Sequence, residues 1–123
     1  MRFTGLVSAA ALALGWAIAG APAQSQSLSG QEIFERRCTG CHALDRDKEG
    51  PRLRGVYGRA AAAVESFEYS GALRQAHVKW DDATLDKWLS DPDSVAAGAD
   101  MAFRMKSAEE RAAVIAYLRD ISR

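Results

Sequence analysis

Cys38-Thr39-Gly40-Cys41-His42 is the stretch on which the reading of this chain turns. Two thiols three residues apart, with an imidazole directly after the second, form the pattern by which a c-type haem is attached covalently. Each thiol adds to a haem vinyl group to give a thioether, and the adjacent His42 then lies against one face of the ring, where it can bind iron. Other uses of the pair fit less well. A thioredoxin-type redox pair belongs on a βαβ framework, and no strand-like alternation of useful length occurs here. A structural zinc site needs more Cys or His ligands, and the chain has only two cysteines. A plain disulfide across so short a spacing constrains little of the unfolded chain, although an exported protein would permit it.

Working back from the motif, Ser29-Gly30-Gln31-Glu32 is a capping box that starts a helix. The spacing predicts a helix over about residues 30–38, with Ile33, Phe34 and Cys38 on one face. That helix delivers the first thiol to the place its own apolar side packs around. Residues 24–29 read as a flexible lead-in. Residues 1–23 read as a signal peptide: Arg2 is basic, residues 6–18 are apolar, and Ala21-Pro22-Ala23 puts small residues at −3 and −1 of a cleavage site before Gln24. The alternative is an uncleaved membrane anchor, for which the run is short against the ~20 apolar residues a spanning helix needs.

Working forward, Asp45-Arg46-Asp47-Lys48-Glu49 is a solvated loop punctuated by Gly50-Pro51. Pro51 is either a simple turn residue or one whose carbonyl accepts the free ring N–H of His42 and so orients that ring. Phe67, Tyr69 and Gly71 suggest a further loop with its aromatic residues turned inward, and a short helix is expected near Ser70. Asp81 and Asp82 are placed to cap a helix that buries Leu85, Trp88 and Leu89 and stops at Pro92. Ser107 to Glu110 forms another capping box. It opens the clearest helix, with Val114, Tyr117, Leu118 and Ile121 as its apolar stripe. A haem with His42 on one face needs something on the other, and the candidates are Met101, Met105 and His77. The mature chain therefore reads as an all-α domain over residues 30–123, with three to four short helices and loops longer than such a domain tolerates unless something holds them.

The whole chain has 123 residues, 48% of them hydrophobic and 26% charged, which fits one folded domain behind an export segment. Loss of Arg2 with that segment leaves acidic residues in excess of basic ones by a single charge. No basic patch suggests nucleic acid, and no polybasic run or spanning segment suggests a membrane after cleavage. A domain this small gains core from an apolar cofactor at its centre, so folding and haem attachment are expected to be coupled.

With these residues in hand the chain resembles a class I cytochrome c across essentially all of the mature protein. The resemblance is carried by Gly30 and Phe34, the Cys38 to His42 motif, Gly50-Pro51-Arg52-Leu53-Arg54-Gly55, Tyr57-Gly58-Arg59, Tyr69-Ser70, Trp80, Asp91-Pro92, and Glu109-Glu110-Arg111-Ala112 with Ile115-Ala116-Tyr117-Leu118. It implies the cytochrome c fold wrapped around one haem c bound through Cys38 and Cys41. It implies His42 and Met101 as the iron ligands and Pro51 as the acceptor for His42. Arg59, Tyr69 and Trp80 match positions that hold the haem propionates, and Phe103 matches the aromatic near the exposed haem edge. Gly30 and Phe34 are then expected to meet Val114 and Tyr117 where the first and last helices cross.

The departures are local. The family stretch Pro-Gly-Thr-Lys-Met is replaced by Ala97-Gly98-Ala99-Asp100-Met101, one residue is missing before the last helix, and the ring of lysines around the haem edge is largely absent. Arg37 and Lys106 remain, while Glu49, Asp93 and Ser94 fall where lysines often lie. The function implied is that of a periplasmic, monomeric, one-electron carrier rather than an enzyme, docking transiently with redox protein donors and acceptors. The competing expectations are a dedicated haem subunit of a larger oxidoreductase and a haem peroxidase.

Overall fold

Helix α1, Gly30–Arg37, begins where the capping box puts it. The Ser29 hydroxyl accepts the Glu32 N–H at 3.2 Å and the Glu32 carboxylate accepts the Ser29 N–H at 2.9 Å. The structure is a computed structural model that describes residues 1, 20–23 and 25–123. Most of the expected export segment, with its cleavage-site residue Gln24, therefore lies outside the described residues. Ser25 to Ser27 are exposed and carry no regular structure, while Leu28 packs half-buried against the core.

Three more α-helices follow: α2, Gly71–Gln75; α3, Asp82–Ser90; and α4, Ala108–Ile121. A single 3₁₀ turn, Pro92–Ser94, stands directly after α3. Asp81 caps α3 reciprocally with Thr84, and Pro92 sits where the helix can no longer continue. The Ser107 box that starts α4 is only half formed. Its hydroxyl accepts the Glu110 N–H at 3.2 Å, but the Glu110 carboxylate turns to Arg37 of α1, also at 3.2 Å. A guanidinium is a better donor to a carboxylate than a neutral amide, and here it lies within reach.

Helix α4 packs on both α1 and α3, and these contacts carry the core. Ile33, Phe34, Leu85, Leu89, Val114, Ile115 and Leu118 are all buried. At the α1–α4 crossing the rings of Phe34 and Tyr117 lie 5.4 Å apart. Gly30 is pressed against the Ala113 carbonyl and the Tyr117 side chain, so a Cβ there would stand 2.9 Å from the Tyr117 Cβ. The helices approach this closely because nothing projects from Gly30.

The rest of the domain is loop, ordered by backbone bonds between distant segments. Residues 58–61 run antiparallel to 78–80: Gly58 donates to the Trp80 carbonyl at 2.6 Å, Trp80 to Arg59 at 2.9 Å and Ala61 to Val78 at 2.8 Å. This pairing includes one isolated bridge, Ala60 to Lys79, and it sets Arg59 beside Trp80. Likewise Leu53 donates to Ala43 and Arg54 to Leu44, at 3.0 and 2.9 Å, which lays the Pro51 segment beside the motif. Among the described residues no helix is long and apolar enough to cross a membrane.

Gly30→Ala is expected to destabilise the haem-loaded protein by about 1–3 kcal/mol, because the added methyl has to push α1 off α4. Urea unfolding of wild type and variant measures it; an unchanged midpoint would show that the crossing tolerates the methyl.

Candidate haem site

The last turn of α1 runs into the motif without a break. Cys38 is the C-cap, donating its N–H to Phe34, and its own carbonyl accepts the N–H groups of Cys41 and His42 at 3.2 and 2.9 Å. That tight turn brings both thiols and the imidazole to one end of an apolar cavity of about 360 Å³, a size usual for a cofactor site. The cavity is lined by all nine residues singled out in the sequence: Cys38, Cys41, His42, Pro51, Arg59, Tyr69, Trp80, Met101 and Phe103. Leu53, Val56, Leu85, Leu89, Val114 and Leu118 supply much of its apolar wall.

His42 is oriented by a hydrogen bond from Nδ1 to the Pro51 carbonyl at 2.8 Å. A carbonyl can only accept, so the proton is on Nδ1 and the lone pair is on Nε2. Burial moves the imidazole below its usual range, the Pro51 bond working against this and Lys48 with it. The ring is therefore neutral at neutral pH, the form that binds metal. Gly50 backs the ring. A Cβ on Gly50 would lie 2.7 Å from Nδ1 and 2.8 Å from Nε2 of His42. In the sequence Gly50 reads only as loop punctuation before Pro51.

Cys38 is half-buried and Cys41 exposed, and the two are not joined in a disulfide. Burial pushes the Cys38 thiol up to about 11, with Arg37 drawing it slightly back. The pair does not close a zinc site, since among the described residues no three His, Cys, Asp or Glu side chains converge as metal ligands would.

Of the three candidates for a second ligand, Met101 alone lines the cavity. Met105 is fully buried in the core, its N–H donating to Leu89 at 2.7 Å and its carbonyl accepting from Arg111 at 2.9 Å. His77 is exposed at a left-handed backbone corner with φ of 50°.

Polar groups cluster elsewhere on the wall. Arg59 is half-buried, and its guanidinium donates to the Arg52 carbonyl at 3.0 Å. Among the described residues it forms no ion pair. Burial lowers its pKa, Tyr69 and Asp47 acting the other way, but an arginine remains charged. The Tyr69 oxygen accepts the Val64 N–H at 3.2 Å, which leaves its own proton to donate. Trp80 is buried against Trp88, ring centroids 5.4 Å apart. A cation and hydroxyl and indole donors on a largely apolar wall suit a flat, apolar group that carries carboxylates. Two thiols and a neutral imidazole at one end complete the donor set of a covalently held haem, so the residues fit that group.

Short helices and long loops closing on such a cavity define a small, all-α, c-type haem protein. The family model for cytochrome c matches residues 27–122. A cytochrome c of Gibberella zeae is 39% identical over 95 residues, covering 74% of this chain and 90% of that one. The cytochrome c-type cyt cy of Rhodobacter capsulatus is 40% identical over 97 residues, 77% of this chain and 49% of its own length. The structure of cytochrome cH from Methylobacterium extorquens superposes with a TM-score of 0.70 at 32% identity, covering 74% of this chain and 94% of that one. The chain belongs to the cytochrome c family, as a class I member, and carries one covalently bound haem c.

Gly50→Ala is expected to cut the yield of covalently loaded protein, because its methyl occupies space held by the His42 ring. Haem per polypeptide, measured after co-expression with an attachment system, reads this; full loading with unaltered spectra would mean that the loop yields instead.

Proposed function

We propose that this cytochrome c is a periplasmic one-electron carrier with His42 and Met101 as iron ligands. The observation that carries the reading is the convergence on one cavity of the oriented, neutral His42 and of Met101, which arrives from a separate segment 59 positions later. When bound, the haem supplies one-electron exchange between ferric and ferrous iron. The chain's own residues do the rest.

The Nδ1–H bond to Pro51 holds the imidazole in one tautomer and makes Nε2 a better donor. Met101 offers a neutral thioether, and the leucines and valines of the wall exclude water, which together favour the less charged, reduced state. Arg59, Tyr69 and Trp80 offer donors for the two propionates, so that these carboxylates are not left buried without partners. With His42 and Met101 both given to the iron, no open ligand position would remain for a substrate, which argues for electron transfer over peroxidase chemistry.

Electrons enter and leave at the face where Arg37, Ala102 and Phe103 meet the cavity, with the Arg37 guanidinium 5.5 Å from the Phe103 ring centroid. Arg37 is already neutralised by Glu110, and Glu49 and Asp100 lie on the same wall. Docking with donor and acceptor proteins then rests on a small, transient contact rather than on a positive rim. Residues 1–23 act as the export signal, and the mature monomer begins at Gln24.

Met101→Ala is expected to abolish the near-infrared band of Met-ligated ferric haem. Met105→Ala should keep that band while costing about 2–5 kcal/mol in urea unfolding, as expected for a buried methionine truncated to alanine. The reverse pattern would move the ligand to Met105. Intact mass of the exported holoprotein checks the N-terminus, and a mass that includes residues 1–23 would point to an anchored protein.

A further inference from the structure

Residues 91–104, which include Met101, are tied together by charge. Arg104 donates from Nε and Nη2 to Asp91 Oδ1, at 3.1 and 2.8 Å, and from Nη2 to Asp93 Oδ2 at 3.2 Å. The same carboxylates hold backbone. Asp91 Oδ1 accepts the Asp93 N–H and Asp93 Oδ1 accepts the Gly98 N–H, each at 3.2 Å. One guanidinium thereby joins the start of the loop, its middle and a residue three positions past Met101.

Little else polar holds the stretch around Met101. The Ala99 N–H reaches Ala96 at 3.0 Å and the Met105 N–H reaches Leu89 at 2.7 Å, and between these anchors, among the described residues, no backbone group of 100–104 bonds to another backbone group. Met105 itself is fixed by burial and by Arg111, whose Nε is also paired with Asp86 at 2.7 Å. The segment is thus anchored firmly at its end and clasped at Arg104, while Met101 sits in the least-bonded part.

We propose that the clasp of Arg104 on Asp91 and Asp93 positions Met101 and governs how often its segment opens, making access of an outside ligand to ferric iron dependent on ionic strength. The proposal rests on Met101 as the distal ligand. Its physical basis is that Arg104, Asp91 and Asp93 are 48%, 46% and 56% exposed at their side chains, so salt screens their attraction. One arginine serves both carboxylates in a forked geometry, which a lysine does not reproduce. Opening of a short, sparsely bonded segment is a local event and need not unfold the helices.

Stopped-flow mixing of the ferric holoprotein with imidazole tests this, since imidazole binds iron only after the Met101 sulfur has left it. At saturating imidazole the limiting rate reports segment opening. Arg104→Gln is expected to raise that rate about fivefold at low salt, the effect of losing exposed ion pairs that act together. Asp93→Asn should raise it less, and Arg104→Lys should recover part of the loss. Sodium chloride should speed the wild type towards the Arg104→Gln rate and leave Arg104→Gln nearly unchanged, with the urea midpoint of all variants close to wild type. Lys106→Gln, at an exposed neighbour with no ion pair among the described residues, is the control. A wild-type rate in Arg104→Gln, or the same salt response in Arg104→Gln as in Lys106→Gln, overturns the clasp. A near-infrared band that survives in Met101→Ala overturns the ligand reading instead, so the two failures are distinct.

Discussion

Loops this long stay ordered only if they share something to pack against, because each ordered residue loses about 1–2 kcal/mol of backbone entropy. In this protein they share one apolar cavity. The motif turn, the Pro51 loop, the paired segments at residues 58–61 and 78–80 and the Met101 loop all contribute to its wall. Helices α3 and α4 add Leu85, Leu89, Val114 and Leu118 to that wall, and with α1 they build a core that, among the described residues, buries no charge. The haem is therefore part of the core as well as the working group, and every loop that positions it is in turn positioned by it.

The two ends of the site are held by different physics. On the His42 side, short-range constraints act in series: a helix C-cap, a tight turn, the 2.8 Å bond to Pro51 and the side of a glycine pressed on the ring. These act over short distances at residues that are mostly half-buried. On the Met101 side the loop is tied by the half-exposed ion pairs of Arg104 with Asp91 and Asp93.

Local chemistry was legible wherever it was written in adjacent residues. The Ser29 cap, the Asp81 cap, the stop at Pro92 and the apolar stripe of α4 fell where spacing put them. The second half of the Ser107 box did not form, because its carboxylate found a stronger partner on α1, seventy-three positions away. The short pairing of Ala60 with Lys79 left no alternating pattern to read, since a single bridge has no period. The close approach at Gly50 was equally hidden, because a glycine's contacts depend on what the fold places where its Cβ would be.

The sequence alone determined the cofactor's attachment residues and the helices, since thioether chemistry, capping and helical periodicity are properties of neighbouring residues, while Arg59, Tyr69, Trp80 and Phe103 were implied only by the resemblance to the family. The tertiary structure decided the rest. It separated Met101 on the cavity wall from Met105 in the core, put Arg59 beside Trp80, and closed the Met101 loop with Arg104. Each of these depends on contacts between residues far apart in the chain, and their geometry exists only once the helices have packed and the loops have met across the cavity.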